Sequence, residues 1–201
     1  MKKKGFTLIE LIVVIAIIGI LAAFLVPAIL GYVNKARRTS DIASAKEIYN
    51  NVLMVLNDNR EQTYKTYYGD KIADAYDSFY SKGSSYGAAK TKKDKEGNEY
   101  HLVPVAYLNG RKGAKSGSFQ WYPIDRDNEP FANAMNDQMK NTKGEVIAPM
   151  KYQPKGERKR LDRWFICYRK EDPDIIEIWA VYSNGSGSGE PLYRVYPDSD
   201  Y

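Results

Sequence analysis

The residue that asks for a chemical partner is Glu10. It follows "MKKKGFTLI" and stands directly before twenty residues, Leu11 to Leu30, that carry no charge. A carboxylate beside lipid is costly: insertion scales put acidic residues at about 2.5–3.5 kcal/mol at the bilayer centre, and less near the interface. Two readings account for it. Glu10 marks the edge of the membrane, or it meets a cation supplied by another copy of the chain.

The remaining candidates for chemistry are thin. Cys167 is the single cysteine, so the chain has no intramolecular disulfide, and mid-strand between Ile166 and Tyr168 it reads as a buried structural thiol. His101 is the single histidine, which argues against a histidine metal cluster or a Ser-His-Asp relay. "DRDNE" at Asp125–Glu129 puts three carboxylates and an amide within five residues, oxygen donors of the kind calcium takes. It lacks EF-hand spacing, and a turn leading into a helix explains the same residues, so no metal is assigned. "KGERKRLDR" is densely basic but mixes in two acids and adjoins no aromatic platform, which suits a solvated or inter-subunit face better than nucleic acid. With no nucleophile–base pair, metal set or phosphate loop, no catalytic residue and no cofactor is assigned.

The elements that position Glu10 follow from patterning. At 201 residues the chain suits one domain with an extension, and much of its 43% hydrophobic content lies in the first thirty residues. Of the net charge of +5, three units sit in Lys2, Lys3 and Lys4 ahead of the apolar run; the rest is interspersed, without a nucleic-acid footprint. As a helix, Leu11–Leu30 spans about 30 Å, the thickness of a bilayer's hydrocarbon core. No small-x-small cleavage site follows it, so the segment reads as retained rather than removed as a secretory signal. Lys35, Arg37 and Arg38 on its far side balance the three leading lysines, so charge counting leaves the orientation tied.

Gly19 and Pro27 interrupt the apolar helix, and the reading there is a helical or kinked span. Beyond Pro27 the helix resumes to about Asn59, with Ile42, Ala45, Tyr49, Val52, Leu53 and Leu56 recurring every three or four residues as a core-facing stripe. Fully helical, Phe6–Asn59 would run roughly 80 Å, a spine longer than so small a chain needs for its own core.

The remainder reads as α+β. A short helix is expected over Asp70–Ser81, then a polar loop. "YHLVPVAYL" and "SFQWYPI" are strands, the first placed at an edge because of Pro104. "NEPFANAMNDQMKN" is a helix with Phe131, Met135 and Met139 inward. "RWFICYR" and "IIEIWAVYS" form an antiparallel hairpin, and "PLYRVYP" can add a third strand. The seventeen tyrosines suit half-buried positions with a wet hydroxyl.

The stretch "KKKGFTLIELIVVIAIIGILAAFLVP" resembles the N-terminus of type IV pilins and pilin-like proteins, and the likeness covers roughly the first 35 residues. What the resemblance implies is specific. A prepilin peptidase cuts after Gly5 on the cytoplasmic side, and Phe6 becomes the N-methylated first residue. Glu10 takes the family's glutamate position and, together with Phe6, recruits and registers subunits. The family's filaments often show the Gly19–Pro27 stretch melted into an extended segment. The new α-amino group, with an ordinary pKa near 7.7–8.0, would be mostly cationic at neutral pH and could pair with Glu10 within one helix or between neighbours.

The implied architecture is a pilin lollipop: leader 1–5, transmembrane and filament-core helix 6–30, amphipathic half 31–59, and an α+β head 60–201 on a small antiparallel sheet. The implied partners are other copies in a helical filament, prepilin peptidase, an assembly platform with its ATPase, and the cytoplasmic membrane. The chain would wait there as a single-pass precursor before joining a surface pilus serving adhesion, motility or DNA uptake. A pseudopilin of a type II secretion or competence system shares every N-terminal residue argued, and a membrane-tethered adhesion module that never polymerises is the alternative of another class. Many pilins close a C-terminal loop with a disulfide. This chain cannot, which fits pilins of Gram-positive type.

Overall fold

The computed structural model describes residues 7–57, 91–109, 120–124, 129–139, 148–154, 161–183 and 189–200. The expected helix over Asp70–Ser81, most of the loop after it, and the basic run 155–160 lie outside the described residues. The chain divides into two compact units, Met1–Thr39 and Ser40–Tyr201.

Helix α1 runs Leu8–Asn57 without a break, through both Gly19 and Pro27. It is followed by β1 (Thr91–Lys93), β2 (Glu99–Asn109), β3 (Trp121–Pro123), α2 (Glu129–Gln138), β4 (Leu161–Arg169), β5 (Ile176–Ser183) and β6 (Gly189–Tyr196). Every strand pairing is antiparallel, in the order β1-β2-β4-β5-β6, with β3 paired to β2. The arrangement is α+β, a long N-terminal helix and an antiparallel sheet, and its core forms where the second part of α1 packs on that sheet.

Strand alternation explains the sheet's two faces. On β4 and β5 the even-numbered Trp164, Ile166, Tyr168, Ile176, Ile178 and Ala180 join the core shared with Ala45, Ile48 and Val52 of α1. The odd-numbered Phe165, Cys167, Trp179 and Val181 join a second cluster with Tyr100 and Leu102. Both faces are covered, so "WFICY" reads as a continuous apolar run rather than an alternating one.

Pro104 corrects the expectation of an edge strand. β2 is flanked by β4 on one side and pairs β3 and β1 as well. The proline is tolerated because it sits at a bulge: Pro104 faces Cys167 and Ala106 faces Ile166, leaving Val105 without an opposite residue on β4. The Val105 carbonyl instead accepts a backbone bond of 2.9 Å from the Ile124 N–H. The bulge also flips the strand's parity, so Val103 and Val105 before it and Ala106 and Leu108 after it all reach the same core.

The stripe on α1 is rotated from the expected one. The fully buried residues are Asp41, Ala45, Ile48 and Val52, while Ile42, Tyr49 and Leu56 are partly covered and Leu53 is 37% exposed. The rotation has a polar cause. Asp41 has no exposed surface, and its carboxylate accepts the backbone N–H groups of Lys151 and Tyr152, each at 2.9 Å. A buried carboxylate needs such donors, and seating them turns the Asp41–Ile48 side of the helix inward. The 148–154 segment is fixed further by Trp164 Nε1 donating to the Ala148 carbonyl at 2.6 Å and by paired bonds between the Gln153 side chain and Leu161.

Helix α2 places Phe131 and Met135 in the core, and Met139, just past its end, joins them as the sequence indicated; Asn136 locks the helix to β3 by accepting from the Trp121 backbone N–H at 2.6 Å and donating to its carbonyl at 3.0 Å. The stripe's rotation gives a direct test in urea unfolding of the detergent-solubilised chain, followed by tryptophan fluorescence. Ile48→Ala is expected to cost about 2–5 kcal/mol, whereas Leu53→Ala stays within about 1 kcal/mol; equal effects would place the packing face elsewhere.

Candidate functional site

The first described turn shows what Glu10 does within its own chain. The Thr7 backbone N–H and hydroxyl both donate to Glu10 Oε2, at 2.8 and 2.7 Å, and the Glu10 N–H reaches back to Thr7 Oγ1 at 3.4 Å. This is a capping box: two side chains three residues apart satisfy donors that the first helical turn leaves open. Its signal, the Thr-x-x-Glu spacing, stands in "TLIE", although charge and hydropathy alone pointed only to a membrane edge or an outside cation. The carboxylate also lies at the positive end of the helix dipole.

Beyond the cap, the side chains of Leu8 to Leu30 stand outward, with Leu8 at 76% and Phe24 at 77% exposure. Among the described residues this is the helix long and apolar enough to cross a membrane. A side chain added at Gly19 would meet nothing within 4 Å, so the glycine is not required by close packing within this chain. Gly5 and Phe6 lie outside the described residues.

A second polar centre, which the sequence patterns did not indicate, lies on the sheet face opposite α1. Glu177 is the one charged residue in "IIEIWAVYS" and is fully buried. Its Oε1 accepts Arg169 Nε and Nη2 at 3.0 and 2.7 Å and Arg194 Nη1 at 3.3 Å. Its Oε2 accepts Trp179 Nε1 at 2.8 Å and the Tyr100 hydroxyl at 3.0 Å. Arg194 continues outward, donating to the Asp198 carbonyl at 3.1 Å and to Asp200 Oδ1 at 3.2 Å, and Asp198 meets Lys95 at 2.8 Å. Burial, joined by the Glu177 charge, pushes the Tyr100 hydroxyl well above its usual range, so it stays a neutral donor. The signal that could have found this centre is a lone carboxylate inside a β-branched and aromatic strand, with arginines at Arg169 and Arg194 on the neighbouring strands.

The cluster ties β2, β4, β5 and β6 together. Both Glu177 oxygens are occupied by protein donors. Burial raises the Cys167 thiol far above the range in which a thiolate forms, as its reading as a structural cysteine requires. His101 holds Glu171 across the end of the sheet: its backbone N–H donates to Oε2 at 2.9 Å and its ring meets Oε1. Among the described residues no group of three or more His, Cys, Asp or Glu side chains converges as a metal site, and Asp125–Asn128 of the calcium candidate lie outside them; Glu129 opens α2 on the surface.

An exposed apolar helix with a capped acidic start, continued by a half buried on an antiparallel sheet, is an α+β arrangement of pilin-like kind. Residues 1–26 match the family described as the prokaryotic N-terminal methylation motif. The chain is 62% identical over 37 residues to Fimbrial protein Q of Moraxella bovis, covering 18% of this chain and 24% of that protein. The same identity over 37 residues holds for the Type IV major alpha-pilin of Moraxella bovis, of which 23% is covered. Against the Type IV major fimbrial protein FimA of Dichelobacter nodosus it is 51% over 43 residues, 21% of this chain and 27% of that protein. The chain thus matches about a quarter of the length of these curated relatives. No solved structure gives a significant match. Motif and relatives together support the type IV pilin family through the amino-terminal segment alone.

Replacing Glu177 by glutamine keeps its shape, leaves Arg169 without its carboxylate and leaves Arg194 with Asp200 alone. The expected loss is about 3–5 kcal/mol in urea unfolding, against less than about 1 kcal/mol for Asp200→Asn, whose side chain is 43% exposed.

Proposed function

We propose that this chain is the precursor of a structural subunit that polymerises into a type IV pilus. The observation that carries the reading is the outward-facing apolar helix from Leu8 to Leu30, headed by the Thr7–Glu10 box, whose residues up to 26 lie in the segment that matches the methylation motif. Among the described residues the core does not draw on that surface; a bilayer, and later a bundle of identical helices, would.

In this reading residues 1–5 are the leader, 6–30 the membrane and filament-core helix, 31–59 its amphipathic continuation and 60–201 the head. A prepilin peptidase cuts between Gly5 and Phe6, and Phe6 is N-methylated. The precursor rests in the cytoplasmic membrane and passes through an assembly platform driven by an ATPase. Glu10 exchanges part of its bonding to Thr7 for the amine at Phe6, in its own chain or a neighbour's, so that an unpaired charge is not left in a dry filament core. The filament serves adhesion, motility or DNA uptake at the cell surface.

Mass spectrometry of shed filaments tests the reading: the subunit should begin at a methylated Phe6, and Glu10→Val should reduce filament yield strongly while the precursor still accumulates in the membrane. Normal filaments from Glu10→Val remove the register role, and a chain that never enters filaments removes the pilin reading. Within assembled filaments, amides from Gly19 to Pro27 should exchange hydrogen faster than the flanking turns, because Pro27 offers no N–H and the glycine weakens the helix by about 1 kcal/mol. Uniform protection would show that this stretch stays helical.

A further inference from the structure

The far end of the membrane helix carries a feature that subunit registry does not use. From Leu11 to Ser40 the helix bears three cations and no acid: Lys35, Arg37 and Arg38. Lys35 and Arg37 are exposed and Arg38 is half-buried, while Tyr32 just before them is 75% exposed. Their positions along and around the helix identify what they face.

Along the axis, Leu30 closes a stretch that fills the hydrocarbon layer. At 1.5 Å per residue, Tyr32 lies about 3 Å beyond it and Lys35 about 7 Å beyond it. The headgroup layer on each side of a bilayer is about 5–8 Å deep. Tyr32 therefore sits where aromatic residues belt a membrane span, and the cations sit at or just outside the phosphates, within reach of their own flexible stems.

Around the axis, Lys35 and Arg37 are two residues apart, about 200° of turn, so they point to opposite sides of the helix. A single protein partner would meet cations on one face. Cations on opposite faces suit a ligand that surrounds the helix.

We propose that Tyr32, Lys35, Arg37 and Arg38 form a collar that binds the anionic headgroups of phospholipids around the helix at its head-side exit. The inference rests on the membrane-spanning reading of Leu11–Leu30. The collar fixes the depth of the subunit, and it persists after the loss of Lys2, Lys3 and Lys4, when it becomes the helix's remaining cluster of side-chain cations. Each cation near an anionic surface strengthens attachment by a factor of about five.

The test uses the full-length precursor in nanodiscs of equal phosphatidylglycerol and phosphatidylcholine, with co-released lipids counted by native mass spectrometry. The background is K2Q/K3Q/K4Q, which removes the leader's own lysines. In it the chain should retain phosphatidylglycerol in excess, and adding K35Q/R37Q/R38Q should lower that excess at least about fivefold. K46Q, at an exposed cation further along α1, should leave it unchanged. An excess that survives the collar substitutions overturns the proposal, as does an equal loss with K46Q. So does a cross-linked dimer that the collar variant abolishes while lipid retention stays constant, which would assign these cations to a second copy. Alkaline carbonate separates the collar from the span beneath it: extraction of the parent chain removes the spanning reading and the collar together, whereas a carbonate-resistant chain without phosphatidylglycerol preference removes the collar alone.

Discussion

An apolar surface that the described residues leave outward-facing governs this protein. From Leu8 to Leu30 the helix turns large aliphatic side chains outward on every side. Burying one such side chain is worth about 1.5–3 kcal/mol. A run of them exceeds the roughly 5–15 kcal/mol that holds an ordinary domain together. Such a surface favours an apolar surrounding over water. The helical form is set by the same constraint, because a lone segment in lipid satisfies its backbone groups only as a helix. Pro27 withholds one donor, and neither it nor Gly19 breaks α1.

Glu10 then stops being an anomaly. Its carboxylate accepts two bonds from Thr7, at 2.8 and 2.7 Å, at the end of the helix where backbone N–H groups and the dipole favour an anion. The isolated chain therefore carries this charge without an external partner. A pairing with another molecule's amine competes against a bond already made, so the net gain from exchange is smaller than a bare carboxylate in lipid would suggest. Small net gains suit a contact that selects register; most of the attraction holding subunits together would come from the apolar surface beside it.

The helix and the sheet were legible in the sequence for different reasons. Twenty uncharged residues and the β-branched, aromatic runs around Cys167 and Trp179 are strong local signals, and the structure has α1, the β4–β5 hairpin and β6 where those signals lie. Phe131, Met135 and Met139 were legible because a short amphipathic helix fixes its own inward face. What local pattern could not supply was long-range pairing. The stripe on α1 turned because Asp41 meets the amides of Lys151 and Tyr152, at separations of 110 and 111 residues along the chain. Pro104 argued for an edge, and a bulge against Cys167 gave it another legal place. At the amino terminus the spacing of Thr7 and Glu10 held the capping box in plain view, whereas Glu177 gained its meaning only when folding brought Arg169, Arg194, Tyr100 and Trp179 around it.

That last cluster shows how the sheet domain is closed without a covalent staple. The resemblance to pilins brings with it a C-terminal loop that many of them close with a disulfide, and a chain with one cysteine needs another device. Here β6 pairs with β5, and Arg194 on β6 reaches inward to Glu177 and outward to Asp198 and Asp200. The Asp200 N–H returns to the Arg194 carbonyl at 2.8 Å. Lys95, in the turn between β1 and β2, adds an exposed ion pair to Asp198, which on its own is worth little. The buried part differs: Glu177 balances Arg169 and Arg194 away from water, and removing that carboxylate strands the Arg169 charge and breaks the bonds that join the strands. A disulfide restricts mainly the unfolded chain, whereas this cluster acts only in the folded one. The C-terminal turn is thus held by a network that owes nothing to oxidation, and its integrity depends on the whole sheet being in register.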